Sequence, residues 1–86
     1  MAAAVTVYTT NHCPYCIRVK SLLNARGVGF EEINIAGDPD ARAALVARTG
    51  HLTFPQVFVG ETFLGGFDET AAAERDGRLS ALLGAA

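Results

Sequence analysis

The 86 residues are half hydrophobic and 19% charged, a composition typical of a globular domain rather than a disordered chain. Nine acidic and seven basic residues give a formal net charge of −2. With no run of Lys or Arg, nucleic acid is a poor candidate partner. The start "MAAAVTVYTT" lacks a secretory signal, and no apolar run approaches the roughly 20 residues of a membrane span. We therefore expect a single cytoplasmic domain, residues 1–86, with no membrane contact.

The first half of the chain predicts two strand–helix units. "VTVY" at 5–8 is β-branched and aromatic, as strands are, and "PYCIRVKSLLNAR" at 14–26 has apolar residues at helical spacing. "GFEEINIA" at 29–36 alternates apolar and polar residues and predicts a second strand. Asp38 and the proline after it predict the start of a second helix over 39–49.

The second half predicts a hairpin and a last helix. Strands over 57–59 and 62–64 flank a glycine-containing turn, which indicates a tight antiparallel pair. Asp68 is the predicted N-cap of a helix over 69–76. An apolar tail follows that we expect to pack on the sheet, with leucines at Leu79, Leu82 and Leu83.

The element order β-α-β-α-β-β-α predicts an α/β fold. Strands one and two are joined by a whole helix, which parallel strands require, and the last two strands form a hairpin. We therefore expect a four-stranded mixed sheet with helices on both faces.

Both cysteines lie at the start of the first predicted helix, in "NHCPYCIRVK". A helix N-terminus has unpaired N–H groups and the positive end of the helix dipole, which stabilise a thiolate, the attacking form of cysteine. We therefore expect Cys13 to be the nucleophile. Cys16 lies nearly one turn farther along, with less access to water, and is the expected resolving thiol. Pro14 stiffens the turn between them.

Two other uses of the cysteine pair are disfavoured. A disulfide across so short a loop contributes little stability. A zinc site needs three or four ligands, and the chain offers only His12 and His51 besides the cysteines. A cytosolic Cys-x-x-Cys within alternating strands and helices favours redox chemistry instead.

Three motifs in order, "CPYC", "TFPQVF" and "GGFDE", resemble those of the glutaredoxins, specifically the small dithiol class. The resemblance covers nearly the whole chain. It implies a thioredoxin-like three-layer fold and glutathione as co-substrate, with no tightly bound cofactor and no metal. It also implies that Pro55 follows a cis peptide bond.

The resemblance further implies how glutathione is bound. The Phe54 backbone would pair with the cysteinyl unit as a strand edge does. The N–H groups of Phe67 and Asp68 would hold the γ-glutamyl carboxylate while the Asp68 side chain faces its ammonium group. The implied binding residues are Tyr15, Thr53, Phe54, Pro55, Gly66, Phe67 and Asp68.

The chain departs from the family pattern where many relatives carry charge. Thr10 stands in place of a lysine three residues before the first cysteine, and His51 and Leu52 stand in place of an arginine near the second motif. Loss of two cations predicts weaker glutathione binding, by about 0.3 to 1 kcal/mol for each exposed contact. Phe54 replaces the usual valine and is expected to narrow the groove.

The leading hypothesis is a monomeric, glutathione-dependent thiol–disulfide oxidoreductase that acts on disulfide-containing or glutathionylated proteins through Cys13 and Cys16. One alternative is an electron carrier fed by thioredoxin reductase or by another low-molecular-weight thiol. Another is a dimer that holds a [2Fe–2S] cluster with two glutathiones, which Pro14 disfavours because cluster-binding relatives more often have glycine or serine there.

Overall fold

The computed structural model describes residues 4–84. The predicted element order is confirmed, and the apolar tail forms a further helix. The elements are β1 (Val5–Thr9), α1 (Pro14–Ala25), β2 (Glu31–Asn34), α2 (Pro39–Thr49), β3 (Gln56–Val59), β4 (Thr62–Gly65), α3 (Phe67–Asp76) and α4 (Arg78–Gly84). In this part of the chain no helix is long and apolar enough to cross a membrane.

The four strands form one mixed sheet in the order β2-β1-β3-β4. Strand β1 pairs parallel with β2 and antiparallel with β3, and β3 pairs antiparallel with β4. The parallel β1–β2 pair follows from the helical crossover between the two strands. The antiparallel β3–β4 pair follows from the short turn at Gly60. The predicted mixed sheet is therefore confirmed.

Apolar side chains cover both faces of the sheet. On one face the strands pack against α1, α3 and α4, and on the other they pack against α2. The buried residues of the first cluster are Val5, Val7, Val19, Leu23, Val57, Val59, Ala73 and Leu79. Those of the second cluster are Ile35, Leu45 and Phe58. The helices therefore form two layers around the sheet, as predicted, and Leu79 packs as expected of the tail.

Carboxylates fix the starts of α2 and α3. The Asp38 carboxylate accepts a hydrogen bond from the Ala41 N–H at 3.0 Å and caps α2 as predicted. The prediction that Asp68 caps α3 is wrong, because Gly66 is the N-cap and Asp68 lies in the first turn. The helix begins earlier because the Glu69 carboxylate reaches back and accepts the Gly66 N–H at 2.7 Å.

A polar network joins β1, β2 and α1 just below the cysteine loop. The hydroxyl of Thr9, which is buried, donates to the Glu32 carboxylate at 2.8 Å, and the Lys20 ammonium lies 3.1 Å from both carboxylate oxygens. These bonds hold the pKa of Glu32 below its ordinary value of 4.5, and the bond from Thr9 has the largest effect. The charged carboxylate therefore stabilises the folded state.

Glu32→Gln is expected to lower the free energy of unfolding at pH 7 by about 0.5 to 1 kcal/mol, because the group is one-third exposed. Since the pKa is lowered in the folded state, this stabilisation is present above the unfolded pKa and lost as the pH falls through the folded pKa. The difference in the free energy of unfolding between the variant and the wild type should therefore disappear at low pH. Urea unfolding at pH 7 and at a pH below about 4 measures this difference. Glu31→Gln, a change at the neighbouring exposed glutamate of β2, is the matched control; an equal pH dependence of the two variants would contradict the assignment.

Candidate active site

The cysteine pair lies at the start of α1, just after the loop that follows β1. Cys13 is the N-cap of α1 and forms a disulfide with Cys16. The Cys16 N–H donates to the Cys13 sulfur at 3.1 Å. Pro14 occupies the first turn, where a missing N–H costs nothing. The sulfur of Cys13 therefore receives one of the free donors of the helix N-terminus, as the sequence predicted.

The two cysteines differ in access to solvent. Cys16 is 2% exposed, whereas Cys13 is partly exposed. In the reduced protein an incoming sulfur therefore reaches Cys13 first. Cys16 can approach only from the helix side, which suits a thiol that acts within the molecule.

The second motif runs beside the cysteines. The Phe54–Pro55 peptide bond is cis, as the resemblance implied. The Phe54 carbonyl oxygen lies 3.6 Å from the Cys13 sulfur. The backbone before β3 therefore passes directly beside the reactive sulfur.

A buried amide holds this segment in place. The Gln56 side chain is fully buried, and its Nε2 donates to the carbonyl oxygens of His51 at 2.8 Å and Thr53 at 3.2 Å. Its Oε1 accepts from the Thr49 hydroxyl at 2.9 Å. Because both amide donors are used, replacing Gln56 would release two carbonyl groups of the loop.

The third motif places the start of α3 across the groove. Gly65 lies directly opposite Val57 in the β3–β4 pair, and a Cβ on Gly66 would lie 3.5 Å from the Pro55 carbonyl oxygen. The helix begins at Phe67, so the N–H groups of Phe67 and Asp68 have no partner within the helix. Unpaired N–H groups at a helix N-terminus favour an anion, and the Asp68 carboxylate lies beside them.

All seven predicted binding residues line one groove of about 390 Å³. Tyr15 and Asp68 lie 53 residues apart in the sequence and yet line the same groove. The sheet brings these parts together, since the second and third motifs flank β3 and β4. Glu69 also lines the groove, which the sequence did not predict. The groove is bounded by Tyr15, Thr53, Phe54, Pro55, Gly66, Phe67, Asp68 and Glu69.

A cation lies at the α2 side of this groove. The Arg42 guanidinium lies 5.0 Å from the centroid of the Phe54 ring, and its Nη2 donates to the Leu52 carbonyl oxygen at 3.4 Å. His51 is exposed and packs its ring edge-on against Phe63, with centroids 4.9 Å apart. The basic group in this region therefore comes from α2, whereas the sequence directed attention to His51 and Leu52.

Sequence reasoning missed three residues of the site. Gln56 carried a signal, because it is a polar residue at the start of an otherwise apolar strand. Glu69 also carried one, since an acid three residues after Gly66 fits a capping arrangement. Arg42 carried none, because nothing in α2 indicates which residues face the loop before β3.

Comparisons with known proteins agree with this geometry. A sequence model of the glutaredoxin family matches residues 5–64, and a glutaredoxin from Pseudomonas aeruginosa is 52% identical over 81 residues, 94% of this chain and 96% of that protein. The chain belongs to the glutaredoxin family. The solution structure of the Brucella melitensis glutaredoxin has a TM-score of 0.84 at 43% identity and covers 95% of this chain and 89% of that one.

A second solved structure is also similar to this chain. The crystal structure of a buckwheat glutaredoxin–glutathione complex has a TM-score of 0.85 at 34% identity and covers 94% of this chain and 76% of that one. Family membership supports thiol–disulfide oxidoreductase activity, with Cys13 and Cys16 as the Cys-x-x-Cys pair. Within residues 4–84 no group of three or more His, Cys, Asp or Glu side chains is arranged to hold a metal ion.

Gly65→Ala is expected to lower the free energy of unfolding by about 2 kcal/mol or more. Gly65 has φ +121°, and a Cβ there would lie 2.7 to 2.8 Å from the Glu69 side chain, which would displace the start of α3. Urea unfolding measures the loss. Gly37→Ala is the matched control, because its Cβ would meet no atom within 4 Å. Equal stability of the two variants would contradict this role.

Proposed function

We propose that this protein is a glutathione-dependent thiol–disulfide oxidoreductase that reduces glutathione mixed disulfides and protein disulfides. The observation that carries the proposal is one groove lined by the cis-proline segment and the start of α3, with the Phe54 carbonyl oxygen 3.6 Å from the Cys13 sulfur. One side offers the backbone of Phe54, and the other offers free N–H groups next to a carboxylate. This arrangement suits a small peptide thiol with a zwitterionic end.

The proposed orientation of glutathione follows from these groups. Its cysteinyl unit pairs with the Phe54 backbone, which brings its sulfur to Cys13. Its γ-glutamyl carboxylate accepts from the N–H groups of Phe67 and Asp68, and its ammonium group faces the Asp68 carboxylate. The glycyl carboxylate then leaves the groove at the opposite end, where Arg42 lies.

For a glutathione mixed disulfide, the Cys13 thiolate attacks the glutathione sulfur. A bond forms between the two sulfurs, the substrate's disulfide breaks, and the substrate leaves as a thiolate that takes up a proton. A second glutathione, as its thiolate, then attacks the bound glutathione sulfur. Glutathione disulfide is released and Cys13 returns to the thiolate. Cys16 has no part in this sequence.

For a protein disulfide, the Cys13 thiolate attacks one sulfur and expels the other, which gives a mixed disulfide with the substrate. Cys16 loses its proton and attacks the Cys13 sulfur, and the second substrate thiol is released. The product is the Cys13–Cys16 disulfide, the state found in this structure. Two glutathiones then reduce it and leave as glutathione disulfide.

Cys13→Ser is expected to abolish both reactions, because the other cysteine, Cys16, is buried. Cys16→Ser is expected to retain reduction of the glutathione mixed disulfide and to lose reduction of protein disulfides. Initial rates with a small glutathione mixed disulfide and with a protein disulfide measure the split. Equal loss of the two activities in both variants would remove the assignment of roles.

The donor is tested with one substrate and two reducing systems. A small glutathione mixed disulfide is supplied either with glutathione, glutathione reductase and NADPH, or with thioredoxin reductase and NADPH. We expect NADPH oxidation with the first system. Turnover with the second system alone would overturn glutathione dependence and favour a carrier fed by thioredoxin reductase. A coloured dimer from anaerobic preparation would instead favour cluster binding.

A further inference from the structure

Two contacts fix the guanidinium of Arg42 at the α2 side of the groove. The central carbon of the guanidinium lies 5.0 Å from the centroid of the Phe54 ring, and one N–H donates to the Leu52 carbonyl oxygen at 3.4 Å. An unrestrained arginine samples many rotamers and loses that freedom when it binds a ligand. Both contacts reduce this cost, because they restrict the side chain before any ligand arrives.

We infer that Phe54 is a positioning residue for glutathione recognition, in which its aromatic ring orients Arg42 toward the glycyl carboxylate. The inference rests on the proposed function, since it concerns the ligand of the same groove. A guanidinium beside an aromatic ring is attracted to it, and it has five N–H donors, of which Leu52 takes one. The remaining donors can hold a carboxylate in the bidentate manner.

The basic side chains of α1, Lys20 and Arg18, contact other partners. The Lys20 ammonium is paired with Glu32 at 3.1 Å. The Arg18 guanidinium lies 5.2 Å from the Tyr15 ring centroid, and that ring lies against Phe67 with centroids 6.0 Å apart. Arg18 is therefore at the α3 end of the groove, where the γ-glutamyl group is proposed to bind. Arg42 is the cation at the opposite end.

The ring of Phe54 is itself held by the core. It packs against the cluster of Ile35, Leu45 and Phe58 on the α2 face of the sheet. A ring fixed in this way is a stable platform for a cation, whereas an aliphatic side chain at this place would offer no aromatic face.

The test compares two substrates that differ only in the glycyl end. One is a small mixed disulfide of glutathione, and the other is the same mixed disulfide with the glycyl carboxylate converted to an amide. The wild type is expected to prefer the carboxylate by about fivefold in kcat/KM. The preference should lie in KM rather than kcat, because this end is remote from the reacting sulfur.

Four variants locate the source of that preference. Arg42→Met should reduce the carboxylate-to-amide ratio to about one, and Phe54→Leu, which removes the ring but keeps the bulk, to about twofold or less. Phe54→Tyr keeps the ring and should retain the ratio. Arg48→Met is the matched control, because Arg48 is also on α2 and lies 4.5 Å from the centroid of the Phe58 ring. It should retain the ratio as well.

The two proposals fail in different ways. A wild type without activity on the glutathione mixed disulfide would overturn the proposed function and this inference together. An active wild type whose ratio is unchanged in Phe54→Leu would overturn only the role of Phe54. An Arg42→Met, Phe54→Leu double variant should lose no more of the ratio than Arg42→Met does, and a further loss would show that the ring acts independently of Arg42. Urea unfolding verifies that each variant is folded.

Discussion

The side chains of Val57, Phe58 and Val59 in β3 are buried between helices on both faces of the sheet. A strand buried on both sides has one register in which all its apolar residues stay out of water. That register determines where the chain enters β3, at the cis-proline segment, and where it leaves β4, at Gly65. Both sides of the groove are therefore positioned by the same buried strand.

The reactive sulfur depends on a different part of the molecule, the junction of β1 and α1. Thr9 ends β1 and bonds to Glu32, which Lys20 of α1 also holds. This network ties the strand before the cysteine loop to the helix after it. The helix N-terminus then directs the Cys16 N–H at the Cys13 sulfur. The chemistry is thus built from a short local segment, and the groove from residues distant in sequence.

The groove has a different charge at each end. The carboxylates of Asp68 and Glu69 lie at the α3 end, where free N–H groups also point outward, and the Arg42 guanidinium lies at the α2 end. Buried or backbone-directed polar groups keep this arrangement in place. Gln56 holds the loop before β3 through two carbonyl oxygens, and Glu69 holds the turn before α3. These supporting side chains act on backbone rather than on a ligand directly.

The sequence by itself determined the element order, the mixed sheet and the reactive cysteine pair, because hydrophobic periodicity, helix capping and the two-residue cysteine spacing are local properties. Its resemblance to a family predicted the seven residues that the fold gathers into one groove. The start of α3 is local as well, since Glu69 caps the helix at Gly66 and not at the predicted Asp68. Only the tertiary structure decided the place of Arg42 beside Phe54. That contact depends on how separate elements pack, which no local pattern of residues specifies.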